Sequence, residues 1–465
     1  MQKKLKFSFR LLSVAAFAVT LNGETTHTLE SKYFTKESSK KLFTHPVSGL
    51  NDQQFDTFIL GKSFFRIPWV EAPSATTARD GLGPLFSANA CISCHPNNGV
   101  SSVYNDNGDI SRGYVSRLSI QNNETPEHKK EQTLKGFISE PTYGSQLSIN
   151  GTKNVPFEGK PKIEYETINI VYPDGETVKL QKPIQGIESQ TKELQYGAMD
   201  KDTIISNRIA QALVGMGLLD QISDEQILLN EDINDSDNDG ISGKANKVYS
   251  LEDKTYKVGR YTWKASSPSI LEQVANAAHN DMSLTSPLIE EENCTPSQIE
   301  CNKAPKGDTL RAGTPHDLPL QRLEAISFYL KNLKVPRSTI TEKKGEELFS
   351  QIGCTSCHTP SFTLNNGLTI KPYSDLLLHD MGEALKDGRV EFLANGQEWR
   401  TAPLWGIGKR ELALGKKPSF LHDGRARSIE EAILWHAGEA QKAKDAFMEL
   451  SKKNRKKIIR FIKEL

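Results

Sequence analysis

Two pentapeptides of one pattern, Cys91-Ile-Ser-Cys94-His95 and Cys354-Thr-Ser-Cys357-His358, constrain this chain of 465 residues more than any other feature. Cys-x-x-Cys-His is the signature of covalent haem attachment. Two thiols three positions apart on a helical turn can add to the two vinyl groups on one edge of a porphyrin. The histidine that follows then lies beneath the ring with its imidazole aimed at iron. Two such segments imply two covalently bound haem c groups, with His95 and His358 as proximal ligands. The alternatives are chemically poorer. Zinc would need a fourth ligand beside each Cys-Cys-His set, and a Cys-x-x-Cys disulfide is usually redox-active rather than structural. The remaining pair, Cys294 and Cys301, closes a short loop rich in Glu, Pro and Asn and reads as a structural disulfide.

A disulfide suits an exported chain, and residues 1–23 have the pattern of a secretory signal. Lys3, Lys4, Lys6 and Arg10 precede an apolar run from Leu11 to Leu21, with small residues after it. The run is too short to span a bilayer, so a cleaved signal is favoured over an uncleaved anchor. The expectation is a periplasmic protein with no stable membrane span once the signal is removed. Lys and Arg number 58 against 58 Asp and Glu in the whole chain. Without residues 1–23 the balance is 54 against 58, a net charge of −4. Such a balance gives no electrostatic reason to bind nucleic acid. With 37% hydrophobic and 25% charged residues the chain is neither a multi-span membrane protein nor a disordered one.

The two haem segments share a local grammar. Gly345-Glu-Glu-Leu348-Phe349 precedes the second motif as a first cytochrome helix would, and Gly61-Lys-Ser-Phe64-Phe65 with Pro68-Trp69 stands in the same place before the first. Apolar positions from Leu318 to Leu333 predict a helix that closes the first unit, broken by Val335-Pro336. A final helix from about Lys442 places Phe447, Leu450, Ile458, Phe461, Ile462 and Leu465 on one face. Between the haem segments, Ile163 to Leu180 alternates like paired strands around Pro173-Asp174-Gly175. Asn207 to Leu219 reads as an amphipathic helix. The expected fold is therefore mainly α: two tandem cytochrome c-like haem domains, 24–335 and 336–465, with a mixed α/β insertion at about 140–265 in the first. Within the insertion, Asp235, Asp237 and Asp239 followed by Gly240 match the start of a calcium loop. Position 12 of that loop is Asn246 rather than Glu, so a solvated acidic loop is an equal reading.

The chain resembles the di-haem oxidoreductase family, also called peroxidases or thiol oxidoreductases, a branch of the di-haem cytochrome c peroxidase and MauG superfamily. The resemblance runs along nearly the whole mature chain. It is carried by Asp80-Gly-Leu-Gly-Pro84-Leu-Phe, Tyr143-Gly-Ser-Gln146-Leu, Gly215-Met-Gly-Leu-Leu219 and Asp239-Gly-Ile-Ser-Gly243. Gly259-Arg-Tyr-Thr-Trp263-Lys and Asn280-Asp281-Met282 continue it. In the C-terminal part it rests on Tyr373-Ser-Asp375-Leu-Leu-Leu-His379-Asp-Met-Gly382, Arg400-Thr-Ala-Pro403-Leu-Trp405-Gly and Phe420-Leu-His422-Asp-Gly424-Arg. The thiol label finds no dithiol here, because four of the six cysteines are committed to haem.

The resemblance bears on the sixth ligands, which decide whether an iron carries electrons or does chemistry. In the related peroxidases a Met stands fourteen residues beyond the histidine of the Phe-x-His-Asp-Gly motif. Fourteen residues beyond His422 this chain has His436. A bis-histidine second haem, His358 below and His436 above, is implied, with His379 and His422 orienting ligands or propionates. For the first haem, His279 and His316 are candidate ligands, and an open distal site is the alternative. The superfamily's distal Gln and Glu are matched in spacing by Gln146 and Glu158. Trp69, Trp263 and Trp405 are candidate charge relays, and the basic final helix is a candidate docking site for an acidic redox partner. Two readings follow. One is a peroxidase-like oxidoreductase acting on peroxide or another small molecule, served by a small redox protein or a quinol-linked donor. The other is a non-catalytic di-haem electron-transfer cytochrome. A dioxygenase is a third, more distant reading.

Overall fold

The structure, a computed structural model, describes residues 29–121, 125–307, 313 and 315–465. The expected export signal lies outside the described residues. Helix makes up 32% and strand 18%, which overturns the mainly-α expectation. The strands form nine two-stranded sheets among the described residues, spread along the chain rather than gathered into one layer. The helical haem segments are short, and the long connections between them satisfy their backbone groups in strand pairs and turns instead. No helix among the described residues is long and apolar enough to cross a membrane.

The segment 207–219 shows how the sequence misleads. Ile204–Ile209 is a strand paired antiparallel with Tyr114–Ser119, Ile205 opposite Leu118 and Arg208 opposite Val115. Only Met216–Leu219 is helical. The helical spacing of Ile209, Leu213 and Met216 is real. The β-branched Ile204, Ile205 and Ile209 nevertheless favour an extended chain, and a partner strand is present to take their backbone groups. The expected final helix is likewise two, Gln441–Glu449 and Lys452–Glu464, with Ser451 capping the second through the Asn454 N–H.

Five helices place the sites: α1 (Asp52–Arg66), α2 (Ile270–Met282), α3 (Leu320–Lys331), α4 (Lys343–Gln351) and α5 (Lys452–Glu464). Helix α1 crosses α3 at Gly61, where an added Cβ would lie 1.8 Å from the Ala325 carbonyl oxygen. Helix α4 crosses α5 at Gly345, where a Cβ would lie 2.2 Å from the Lys457 carbonyl oxygen. In both crossings backbone meets backbone, which only glycine permits. The consequence is the same twice. Phe65 comes to rest 5.4 Å from Tyr329 of α3 and 6.5 Å from the His95 ring, centroid to centroid. Phe349 lies 5.3 Å from Phe461 of α5 and 6.1 Å from the His358 ring.

Each crossing nucleates a hydrophobic cluster. The first gathers Phe58, Phe65, Trp69, Val274, Leu323 and Tyr329, together with Leu364, Leu376 and Trp405 from beyond residue 336. The second gathers Leu348, Phe349, Trp435, Phe461 and Ile462, and takes in Tyr172 and Leu180. Those two belong to the hairpin Tyr165–Val171 and Thr177–Pro183, whose turn contains Gly175 at φ +84°. The hairpin is anchored on α5 by Arg455, which is buried over the Tyr172 ring at 3.7 Å and donates to Asp174 at 2.8 Å and Glu176 at 2.9 Å.

A methyl group at Gly61 would push α1 off α3 and carry Phe65 away from His95. Gly61→Ala should therefore lower the stability of the haem-loaded protein by about 3 kcal/mol. Replacement of the exposed Gln53 on the same helix by Ala should stay within about 0.5 kcal/mol. Chemical denaturation of the two variants measures the difference.

Candidate functional site

The first Cys-x-x-Cys-His segment is one helical turn, Cys91–Cys94, with His95 closing it. The His95 Nδ1 lies 2.8 Å from the Gln211 carbonyl oxygen. A carbonyl only accepts, so Nδ1 carries the hydrogen and the Nε2 lone pair is free for a metal. The second segment repeats this: His358 Nδ1 lies 2.9 Å from the Tyr373 carbonyl oxygen. His436, just beyond the helix Ile429–Leu434, has its Nδ1 2.7 Å from the Ala432 carbonyl oxygen. All three imidazoles are thus held in one tautomer with Nε2 unspent. Burial lowers the pKa of each, that of His358 to about 4, with the charge of His436 adding to the effect. Neutral imidazole is the form that binds iron.

The sulfurs fit the same group. Burial pushes the Cys91 and Cys354 thiols up to about 12 and raises Cys94 and Cys357 as well. Such sites disfavour thiolates, as zinc would require, and suit uncharged thioethers. Around them stand buried donors that lack acceptors. The indole N–H groups of Trp69 and Trp435 have no partner among the described residues. Trp69 borders the first motif, and Trp435 is next to His436. These are donors of the kind that bound carboxylates satisfy.

Beside His95 lies a cavity of ≈450 Å³. Its wall includes Cys91, Cys94, His95, His279, Asp281 and the three tryptophans Trp69, Trp263 and Trp405. It also includes Arg117, Arg208, Arg389, Arg400 and Arg410. Arg208 is paired with Asp387 at 3.1 Å and Glu391 at 2.8 Å, and Arg389 with Glu391 at 3.1 Å. Lys264, fully buried, reaches Asp387 at 3.1 Å. Burial pushes the Glu391 carboxyl up, but Arg208, Arg389 and Lys264 outweigh it and hold the group at about 2.

The remaining candidates fall in different places. Gln146 and Glu158 do not line the cavity. Gln146 donates through Nε2 to Asp281 Oδ1 at 2.8 Å and to the Asn280 carbonyl oxygen at 3.1 Å. Glu158 is fully buried and accepts from the Ser148 N–H and from Gln298 Nε2, both at 2.5 Å; burial pushes its carboxyl up to about 8. It ties down the loop in which the Cys294 and Cys301 sulfurs lie 1.97 Å apart. His279 is on the cavity wall with its pKa lowered by burial to about 4, whereas His316 is not on that wall. Of the acidic loop, Asp235 and Asp237 come together with Asp232 rather than with Asp239. Lys442 donates to the Asp239 carbonyl. His422 stacks on Trp399, ring centroids 3.7 Å apart and planes 11° apart.

Sequence reasoning missed three features: the arginine-rich wall, the carboxylate of Asp281, and the setting of His379. Arg117 and Arg208 carried a signal, as cations within strands of otherwise apolar or small residues. His379 is clamped between Asp375, 2.8 Å from Nε2, and Glu439, 2.7 Å from Nδ1, close beside Cys357. Burial opposes its charge, but hydrogen bonds to the two carboxylates and to Cys357 hold the imidazolium well above its ordinary pKa.

A folded-state pKa raised in this way stabilises the fold fully below about pH 6.5, the unfolded value. The gain is lost as pH rises through the raised value. His379→Gln should cost about 3 kcal/mol at pH 6, because two buried carboxylates lose their counter-ion. The cost should shrink on the alkaline side, which denaturation series at several pH values would record.

Comparison with known proteins agrees with the geometry. No curated protein matches the chain. A family model described as "Di-haem oxidoreductase, putative peroxidase" matches residues 20–465. With nearly the whole length inside that match, the chain belongs to the di-haem oxidoreductase family.

Proposed function

We propose that this protein is an exported, periplasmic di-haem oxidoreductase of peroxidase type, with an electron-transfer centre at His358 and His436 and a substrate-reactive centre at His95. The observation that carries this reading is the asymmetry of the two histidine settings. His358 has a second imidazole, that of His436, close enough to depress its protonation, and both rings keep Nε2 free. His95 instead faces a cavity of ≈450 Å³ that its haem would occupy, and the charge that acts on it is a carboxylate, Asp281, rather than a second imidazole. Covalently bound haem supplies one-electron chemistry at iron, and at an open coordination position it supplies the activation of peroxide.

The chain's own residues do the rest. The Gln211 and Tyr373 carbonyls fix the proximal rings and raise their basicity, and Ala432 does so for His436. Two imidazoles in place of imidazole and thioether favour the ferric state and a lower potential. Trp263 is the best placed relay, since it lines the cavity and also packs against the cluster that contains Phe349. Its indole N–H donates to the Ile209 carbonyl at 2.9 Å, and the Ile209 N–H donates to the His422 carbonyl at 2.7 Å. Helix α5 exposes Lys453, Lys456 and Lys463, and its Phe461 meets Phe349, which lies against the His358 ring. An acidic electron-transfer protein would be held there by charge.

His436→Ala should convert one of two haems from low-spin to high-spin in the ferric spectrum, and added imidazole should restore the low-spin signal. An unchanged spectrum would remove His436 as a ligand. If the wild-type protein shows two low-spin haems and no reaction with peroxide at any redox poise, the electron-transfer reading replaces the enzymatic one.

A further inference from the structure

On the cavity wall one carboxylate stands out, and two guanidiniums, those of Arg117 and Arg410, have neither ion pair nor hydrogen bond among the described residues; Arg410 instead lies over the Phe420 ring at 5.8 Å. Arg208 and Arg389 are satisfied by Asp387 and Glu391, and Arg400 donates to the Thr262 carbonyl at 2.9 Å. The Arg117 side chain is half-buried on the cavity wall and has neither ion pair nor hydrogen bond among the described residues. Of the charges that act on it, Asp281 is the foremost. Asp281 lies on the same wall and offers Oδ1 to Gln146, while Oδ2 has no protein donor among the described residues. Its charge is also felt by Cys91, Cys94 and His95. The backbone holds the pair in place. The Asp281 carbonyl accepts from the Ser87 and Ala88 N–H groups at 2.8 and 3.1 Å, just ahead of the first haem motif. Arg117 forms a β-bridge with Gln146, the residue that grips Asp281.

We propose that Asp281 is the acid–base group and Arg117 the anion-stabilising group for peroxide in this cavity, with Gln146 as the positioning residue that orients Asp281. The proposal rests on the peroxidase-type reading above. The chemistry asks for two functions at one place. The carboxylate takes the proton from the inner oxygen of hydrogen peroxide and delivers it to the outer oxygen, so that the O–O bond breaks with water as the leaving group. The guanidinium faces the charge that develops on the outer oxygen. The two electrons would be supplied by the haems that the two motifs would hold, which the electron-donor protein would reduce again. Two protons from solvent complete the balance, hydrogen peroxide plus two electrons and two protons giving two waters. Gln146, expected from sequence to act directly, here acts through Asp281.

The test uses the purified protein with both haems in place. Stopped-flow spectra record the second-order rate with hydrogen peroxide, and the association rate of cyanide reports the base independently, since hydrogen cyanide must lose a proton to bind. Asp281→Asn should lower the peroxide rate about 100-fold and the cyanide rate about 10-fold, with the low-spin signal of the His358 and His436 centre unchanged. Asp281→Glu should restore at least part of both rates, and it decides the matter if the Asn variant fails to load haem. Arg117→Gln should lower the affinity for fluoride, which a nearby guanidinium stabilises. Peroxide and cyanide rates unchanged in Asp281→Asn would overturn the proposal while leaving the peroxidase reading intact. A shift in the haem reduction potential of Arg117→Gln with unaltered fluoride and peroxide reactions would also overturn it, since Arg117 would then serve a haem carboxylate. A wild-type protein inert to peroxide would end both readings.

Discussion

Backbone packed directly against backbone, at Gly61 and again at Gly345, is the contact on which both sites depend. A side chain at either point would separate the helices by more than an ångström, because the nearest carbonyl oxygens are already inside van der Waals contact of a Cβ. The close approach fixes the height of Phe65 and Phe349 above their partner helices, and those rings lie against His95 and His358. A carbonyl then accepts from each Nδ1, setting the last degree of freedom of the imidazole. Helix crossing, aromatic wedge and hydrogen bond thus act in series. The metal-binding geometry is settled by packing far from the metal-binding atom.

Once the proximal sides are made alike, the surroundings make the two sites differ. His358 feels the charge of a second imidazole, that of His436, whose own Nδ1 is tied to the helix that carries it. His379, locked between Asp375 and Glu439, stands behind Cys357 and allows little rearrangement. At His95 the chain leaves a cavity walled by arginines. Buried ion pairs such as Arg208 with Asp387 and Glu391 add little net stability, because desolvation offsets their attraction. Their value lies in keeping long side chains in one arrangement around the space that a haem held by Cys91 and Cys94 would take.

How much of this was legible in the sequence follows from the range of the interactions involved. The cysteine spacing, the glycine before each motif and the strand alternation of residues 165–183 are local, and each was readable. The amount of strand was not, since Ile204–Ile209 takes its conformation from Tyr114–Ser119, some ninety residues away in sequence. The same holds for Tyr172 and Leu180, which leave their own stretch of chain to join the cluster around Phe349. Gln146 and Glu158 have the spacing of a distal pair, yet spacing carries no information about direction. Gln146 turns to Asp281 and Glu158 to Gln298, while Asp281, in a stretch quoted only for its resemblance, faces the cavity.

The cavity wall carries five arginines against Glu272, Asp281 and Glu391, an excess of two positive charges; Lys135, also on the wall, is half-exposed and paired with Glu131 at 2.8 Å. In an apolar interior such an excess is costly unless anions answer it. The two carboxylates of a haem supply two negative charges, and the Trp69 N–H is a further donor without an acceptor among the described residues. The guanidiniums on the wall favour anionic ligands of iron over neutral ones, and they favour a hydrogen peroxide that has lost its proton over one that has kept it. A base is then needed to receive the proton without cancelling the field, and a carboxylate held through one oxygen by Gln146 meets that need. Charge on the wall and proton transfer at Asp281 are thus parts of one electrostatic arrangement.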